Sequence, residues 1–199
     1  MKEMLKNAGI LLAITVIAGF ILGAVYQITK GPIAEAEAAA VMEAYKEVFA
    51  DAADFTEIEV NADVLTAGGI TGSDIDKVME AKGADGSVLG YVFVITNHEG
   101  YAGDIQFTLG VSMDGTTNGI SILAISETPG LGMEAENVLK PQFAGKKAAQ
   151  FQYTKTGAVS EEQIDAISGA TITTNAITNG VNAGLYYFQN VLGGGMADE

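Results

Sequence analysis

Two stretches of this 199-residue chain gather residue types that can hold an anionic or planar ligand: "DAISGATITT" at 165–174 and "SETPGLGMEAENVLKPQFAGKK" at 126–147. The first leads straight into an apolar-striped segment, so its serine and threonines stand at a helix entry. There the leading backbone N–H groups lack intrahelical partners, and hydroxyl side chains compete well to cap them. Small residues leave room for another group to approach, and the positive end of the helix dipole favours a phosphate. The residues alone leave two readings open, an anion seat or an N-cap with more hydroxyls than capping needs. In the second stretch Pro129-Gly130 fits a type II turn, whose third residue needs positive φ. Gly132 offers bare backbone to a flat ligand. Glu127 and Thr128 bring an acceptor and a hydroxyl to the end of a strand, and Lys140, Lys146 and Lys147 follow. A plain sheet-to-helix turn is the other reading, and two such turns in one small domain favour a shared ligand.

The rest of the composition narrows the chemistry. No cysteine is present, which excludes disulfides, thiolate nucleophiles, cysteine-ligated iron–sulfur clusters and attached c-type haem. Any redox work then needs an organic cofactor. Beyond Lys30 lie 24 of the 25 acidic residues and 7 of the 10 positive charges, all lysine, a net charge of −17. Such a surface repels nucleic acid and anionic headgroups. His98, the single histidine, sits in the turn "NHEGYAG" and reads as a solvated turn residue, without partners for a metal. Neither a metal site nor a catalytic side chain is assigned.

The elements that must position these residues follow from patterning. Between Lys6 and Lys30 run 23 uncharged residues, almost continuously apolar from Ala8 to Tyr26. That matches one bilayer crossing at ~20 residues and exceeds the apolar core of a cleaved signal peptide. Lys2 and Lys6 ahead of the span place the N-terminus inside and the acidic domain outside the cytoplasm. "TKGP" at 29–32 predicts a break, with Pro32 opening a new helix that runs to Ala50 on apolar positions at helical spacing. Residues 51–75 read as loop with room for one short strand. From Asp76, "DKVMEAK", "SVLGYVFVIT", "DIQFTLGVSM" and "GISILAIS" are separated by glycine-, aspartate- and asparagine-rich turns, predicting four antiparallel strands in a meander. A short helix at 133–139 follows. Ile177, Val181, Leu185, Phe188 and Leu192 then form the stripe of a terminal helix, backed by Gly180 and Gly184. Tyr186, Tyr187 and Phe188 read as core on that helix. The expected fold class is α+β, an N-terminal transmembrane helix before an antiparallel-sheet domain with packed helices. Expected boundaries are an anchor at 1–30, helix and linker at 31–75, the ligand domain at 76–192 and a flexible tail at 193–199.

On these residues the chain resembles a known family. "DAISGAT" is similar to the flavinylation motif of the FMN-binding domain family, "ETPGLG" to that family's other signature, and "GYAGDI" at 100–105 to its Gly-Tyr turn, with Ala102 where a glycine is usual. Together with the single N-terminal span, their order is similar to the G-subunit family of Rnf complexes, and more distantly to the C subunit of sodium-pumping NADH:quinone oxidoreductase. The resemblance implies a covalent FMN, with Thr171 as its phosphoester acceptor. Ser168, Gly169 and Ala170 complete the attachment turn, and Asp165 belongs to the recognition sequence of a flavin transferase that installs FMN from FAD. Glu127, Thr128, Gly130, Leu131 and Gly132 would line the isoalloxazine, and Lys146 matches a family Gly-Lys. The implied role is an electron-carrier subunit rather than a stand-alone catalyst, in a membrane-bound ion-translocating ferredoxin:NAD⁺ oxidoreductase. The other subunits of the Rnf complex and the transferase are its implied partners. An anchored, non-redox domain binding an anion or scaffolding a complex is the alternative. A threonine-nucleophile hydrolase would require Thr171 to become a free N-terminus.

Overall fold

The computed structural model describes residues 1–193, so the tail expected at 193–199 lies, Gly193 apart, outside the described residues. The chain divides into two compact units, Met1–Met42 and Glu43 onward. A single helix, α1 (Lys2–Val48), occupies the first and enters the second. Its N-terminal part is long and apolar enough to cross a bilayer. Side chains such as Phe20 and Leu22 are exposed along it. The break expected at Thr29–Pro32 is absent, and α1 passes through Pro32. Proline removes one backbone hydrogen bond, but the residues that follow, "AEAEAAAVMEAYKEV", include many of the strongest helix formers.

The second unit is built on a six-stranded antiparallel sheet in the order β1-β2-β3-β4-β5-β6. Its strands are β1 (Asp54–Ile58), β2 (Ser73–Lys82), β3 (Val88–Asn97), β4 (Ile105–Ser112), β5 (Thr116–Ala124) and β6 (Lys146–Lys147). Strands β2 to β5 are the expected meander. Strand β1 is the one short strand for which residues 51–75 left room, and it pairs with β2 from Asp54↔Lys82 to Ile58↔Val78. A short helix, α2 (Asp63–Ala67), separates these two strands. After β5 the single helix expected at 133–139 is a 3-10 turn, Gly132–Glu134, followed by α3 (Ala135–Val138) and α4 (Lys140–Phe143). Two further strands, β7 (Gln152–Thr154) and β8 (Gln163–Asp165), pair in parallel and lead to α5 (Thr171–Val191).

Alternation along the central strands gives the sheet two buried faces. Phe93 and Ile95 of β3 and Phe107, Leu109 and Val111 of β4 join one core with Ile177, Val181, Leu185 and Phe188 of α5. Leu192, the last residue of the expected stripe, is only partly buried against that core. Two glycines let the helix come close. A Cβ at Gly180 would lie 2.7 Å from Phe107 Cζ, and one at Gly184 would lie 2.7 Å from Leu109 Cδ2. Of the three aromatics read as core, Tyr187 and Phe188 are buried and Tyr186 is only partly buried against that core; Tyr187 packs on Phe93 with ring centroids 6.2 Å apart. On the opposite face the bare backbone of Gly110 meets Val48, and that of Gly90 meets Phe49. Residues 43–49 and β1 therefore pack as part of the sheet domain, upstream of the boundary expected at 76. This scaffold holds the turn after β5 and the first turn of α5 against the β3–β4 hairpin.

Candidate functional site

Three backbone turns converge on one carboxylate. Glu127, in the turn after β5, is 5% exposed. Its Oε2 accepts from Thr173 Oγ1 at 3.0 Å, and its Oε1 accepts from the Ala102 N–H at 3.3 Å. Glycine makes this approach possible at two points. A Cβ at Gly132 would fall 2.6 Å from both Glu127 Cβ and Thr173 Oγ1, and one at Gly100 would fall 2.9 Å from Glu127 Oε1. The "GYAG" turn, the "ETPGLG" turn and the start of α5 thus meet at Glu127. Ala102, where a glycine is usual in the family resembled, is exposed, so its methyl leaves the backbone contact intact.

The "ETPGLG" turn has the expected form. Leu131 N–H donates to Thr128 O at 3.1 Å across Pro129-Gly130, and Gly130 has φ 74°, as the third position of a type II turn needs. Met133 N–H also donates to Thr128 O, at 3.2 Å, which closes the loop onto the 3-10 turn. Leu131 projects beside Gly169, where a Cβ would stand 3.1 Å from Leu131 Cδ2. Gly169 itself has φ 77°, the left-handed conformation that turns the chain into α5.

Thr171 is the first residue of α5, preceded at the N-cap by Ala170. No side chain caps the helix, so the expected hydroxyl cap is not formed. Thr174 Oγ1 donates instead to Ala170 O at 2.9 Å and accepts from the Ile167 N–H at 3.1 Å. Thr173 is tied to Glu127. Thr171 is half-buried, Ser168 is exposed, and neither hydroxyl forms a hydrogen bond within the described residues. The amides of Thr171, Ile172 and Thr173 likewise find no acceptor there. Around them stand exposed apolar side chains from all three turns, Tyr101, Leu131, Met133 and Ile172. A free hydroxyl, unpaired N–H donors and an apolar rim suit a ligand with a phosphate and a flat ring.

Other expected residues lie further out. Asp165, at the end of β8, accepts from the Ala158 N–H at 2.6 Å, while its own N–H donates to Gln142 Oε1 at 2.7 Å. Lys146 pairs with Thr117 near the start of β5, the opposite end of that strand from the Glu127 turn. Its Nζ donates to Gln163 O at 2.7 Å.

His98, read from sequence as a solvated turn residue, has defined partners. Its Nδ1 lies 3.0 Å from Asp104 Oδ1 and its Nε2 3.0 Å from Asp74 Oδ2. The hydrogen bonds to Asp104 and then Asp74 raise the imidazole above its ordinary pKa. No local signal marks this clamp, because Asp74 lies 24 residues away on another strand. The tie between Thr173 and Glu127 is equally hidden, spanning 46 residues. A separate cleft of about 530 Å³, lined by Gly68, Gly72, Glu99, Asn182, Tyr186 and Gln189 among others, opens beside the middle of α5.

Known proteins share both parts of the chain. Residues 100–186 match the model of the FMN-binding domain, and residues 1–48 match that of the RnfG N-terminal region. The G subunit of the Na⁺-translocating ferredoxin:NAD⁺ oxidoreductase complex of Acetobacterium woodii is 34% identical, over 96% of this chain and 94% of the relative. The G subunit of the ion-translocating oxidoreductase complex of Methanosarcina acetivorans is 33% identical, over 94% and 95%. The G subunit of the proton-translocating ferredoxin:NAD⁺ oxidoreductase complex of Clostridium ljungdahlii is 30% identical, over 89% and 88%. Among solved structures, the C subunit of the Na⁺-translocating NADH-quinone reductase from Parabacteroides distasonis is similar at a TM-score of 0.48 and 24% identity, over 71% of this chain and 73% of that one. Matched in both its apolar N-terminal region and its FMN-binding domain, and along nearly its whole length by these relatives, the chain belongs to the RnfG family, the G subunits of ion-translocating oxidoreductase complexes.

Proposed function

We propose that this chain carries FMN as a phosphoester on Thr171 and relays electrons as the membrane-anchored G subunit of a ferredoxin:NAD⁺ oxidoreductase complex, with the FMN domain on the extracytoplasmic side. One observation carries the assignment of the acceptor. Among the threonines of 168–174, Thr173 and Thr174 are buried and hydrogen-bonded, whereas Thr171 keeps a free hydroxyl on the first turn of a 21-residue helix. There the unpaired amides and the helix dipole favour the phosphate that the ester would bring. Ser168 is also free, but it precedes the helix, whereas Thr171 stands on its first turn.

When bound, FMN supplies the redox chemistry that no side chain of this cysteine-free sequence offers. The protein's part is to hold the phosphate at Thr171 and to bound the ring with Leu131, the exposed backbone of Gly130 and the apolar rim, while Gly132, which the resemblance also placed there, is buried against Glu127 and Thr173. Attachment would join Thr171 Oγ1 to the FMN phosphorus of FAD. The pyrophosphate P–O bond would break, AMP would leave with that electron pair, and the hydroxyl proton would pass to solvent, on a flavin transferase that would hold a divalent metal. Asp165, Ser168, Gly169 and Ala170 present the turn to that enzyme, and Lys146 supports it through β8. The lysines ahead of the apolar span favour a cytoplasmic N-terminus. A permanent ester also prevents loss of the cofactor from a compartment where free FMN is dilute.

Peptide mapping of the chain isolated from its own host, or co-expressed with the transferase, tests the proposal. One FMN on the peptide containing Thr171 is expected. A bare Thr171, or a label on Ser168, overturns it.

A further inference from the structure

The Glu127 carboxylate is buried, no ion pair reaches it among the described residues, and two donors from separate turns satisfy it. Burying a carboxylate without a cation is unfavourable, and each hydrogen bond to a charged acceptor offsets part of that cost. The reason for its place lies in what it connects. Thr173 is two residues beyond Thr171 in the first turn of α5, so anchoring the Thr173 side chain to Glu127 fixes that turn's rotation and with it the side of the helix entry on which Thr171 stands. The bare backbones of Gly100 and Gly132 leave room for the Glu127 side chain in this position.

We infer that Glu127 is a positioning residue for the attachment reaction: through Thr173 it presents the Thr171 hydroxyl to the transferase. This rests on Thr171 being the flavin acceptor. The carboxylate itself transfers no proton and contacts no reacting atom. Its hydrogen bonds matter and its charge does not, because glutamine in the same place can accept from the Ala102 N–H and donate to Thr173 Oγ1.

The test measures the rate of FMN attachment to the full chain in detergent, with flavin transferase, FAD and Mg²⁺, by intact mass and in-gel fluorescence. It is run at a temperature where circular dichroism shows each variant folded. Glu127→Ala and Thr173→Val should each slow labelling by about tenfold, the scale set by loss of the Thr173–Glu127 hydrogen bond that both variants break. Glu127→Gln should recover most of the rate relative to Glu127→Ala, and Thr173→Ser should recover it relative to Thr173→Val. The Glu127→Ala/Thr173→Val double variant should be no slower than the worse single one, since both break one linkage. Labelling of folded Glu127→Ala at the wild-type rate overturns the inference, as does failure of glutamine to rescue or full additivity in the double variant. An unlabelled wild-type chain would instead overturn the assignment of Thr171, so the two failures are distinguishable.

Discussion

Replacing Thr171 by alanine should separate attachment from folding, and the comparison with Thr174 supplies the magnitude. Thr171 Oγ1 has no internal hydrogen-bond partner among the described residues and the side chain is half exposed, so its removal orphans nothing. Alanine is a better helix former than threonine by up to about 0.7 kcal/mol, a gain reduced at the first helical position. The net change should stay within about 0.5 kcal/mol, the range of a surface substitution. Thr174 is fully buried, and its hydroxyl both donates to Ala170 O and accepts from the Ile167 N–H. Thr174→Ala leaves a buried amide without an acceptor, which costs about 1–3 kcal/mol. The assay is paired: intact mass and in-gel flavin fluorescence of the full chain co-expressed with the transferase, and urea unfolding of the same preparation in detergent. Thr171→Ala should be colourless on the gel with an unchanged midpoint, and Thr174→Ala fluorescent with a lowered one. Covalent flavin on the Thr171→Ala chain, or a midpoint depressed as far as that of Thr174→Ala, would refute the reasoning.

Two further outcomes follow from the packing and the surface pairs. Gly180→Ala sets a helix-propensity gain of about 1 kcal/mol against overpacking of about 1–3 kcal/mol at the fully buried Phe107 ring, 2.7 Å from the added Cβ. The clash should win by about 1 kcal/mol in urea unfolding, and a stabilised variant would show that the helix has room to lift. His98 contributes through its clamp on Asp104 and Asp74, and its folded pKa lies above the ordinary 6.5. That stability is fully present below the unfolded value and is lost as pH rises through the higher folded one. Ring-proton NMR should titrate above 6.5, and the wild-type melting temperature should fall across that window more than that of His98→Asn. Titration at or below 6.5 would contradict the clamp.

How much of this was legible in advance depended on whether the determining interaction was local. An uninterrupted apolar run needs only bilayer thickness to be read as a span, and residues 8–26 met that condition. Turn chemistry between β-rich runs located β2 to β5, because such turns are specified by the few residues inside them. The type II turn at Pro129-Gly130 and the buried stripe of α5 were readable for the same reason. Strand β1 was legible only as room for one short strand within 51–75, since Phe55 and Ile58 are only partly buried and the segment is fixed as a strand by pairing with the edge of β2. Continuity through Pro32 also escaped, because the helix-forming strength of the sixteen residues after it outweighed one missing hydrogen bond.

By itself the sequence determined that a cysteine-free, strongly acidic domain follows one apolar helix, and that hydroxyls crowd the entry to its terminal helix. Only the tertiary structure decided which hydroxyl is free. Thr171, Thr173 and Thr174 are chemically identical and lie within four residues, so capping preference alone does not rank them, and in the sequence only the resemblance to the flavinylation motif singles out Thr171. Their difference arises from Glu127, 46 residues from Thr173, and from the backbone of Ile167 folding over Thr174. Hydrogen bonding is short-ranged in space and indifferent to separation along the chain, so the availability of a side chain for chemistry is settled only when the turns meet.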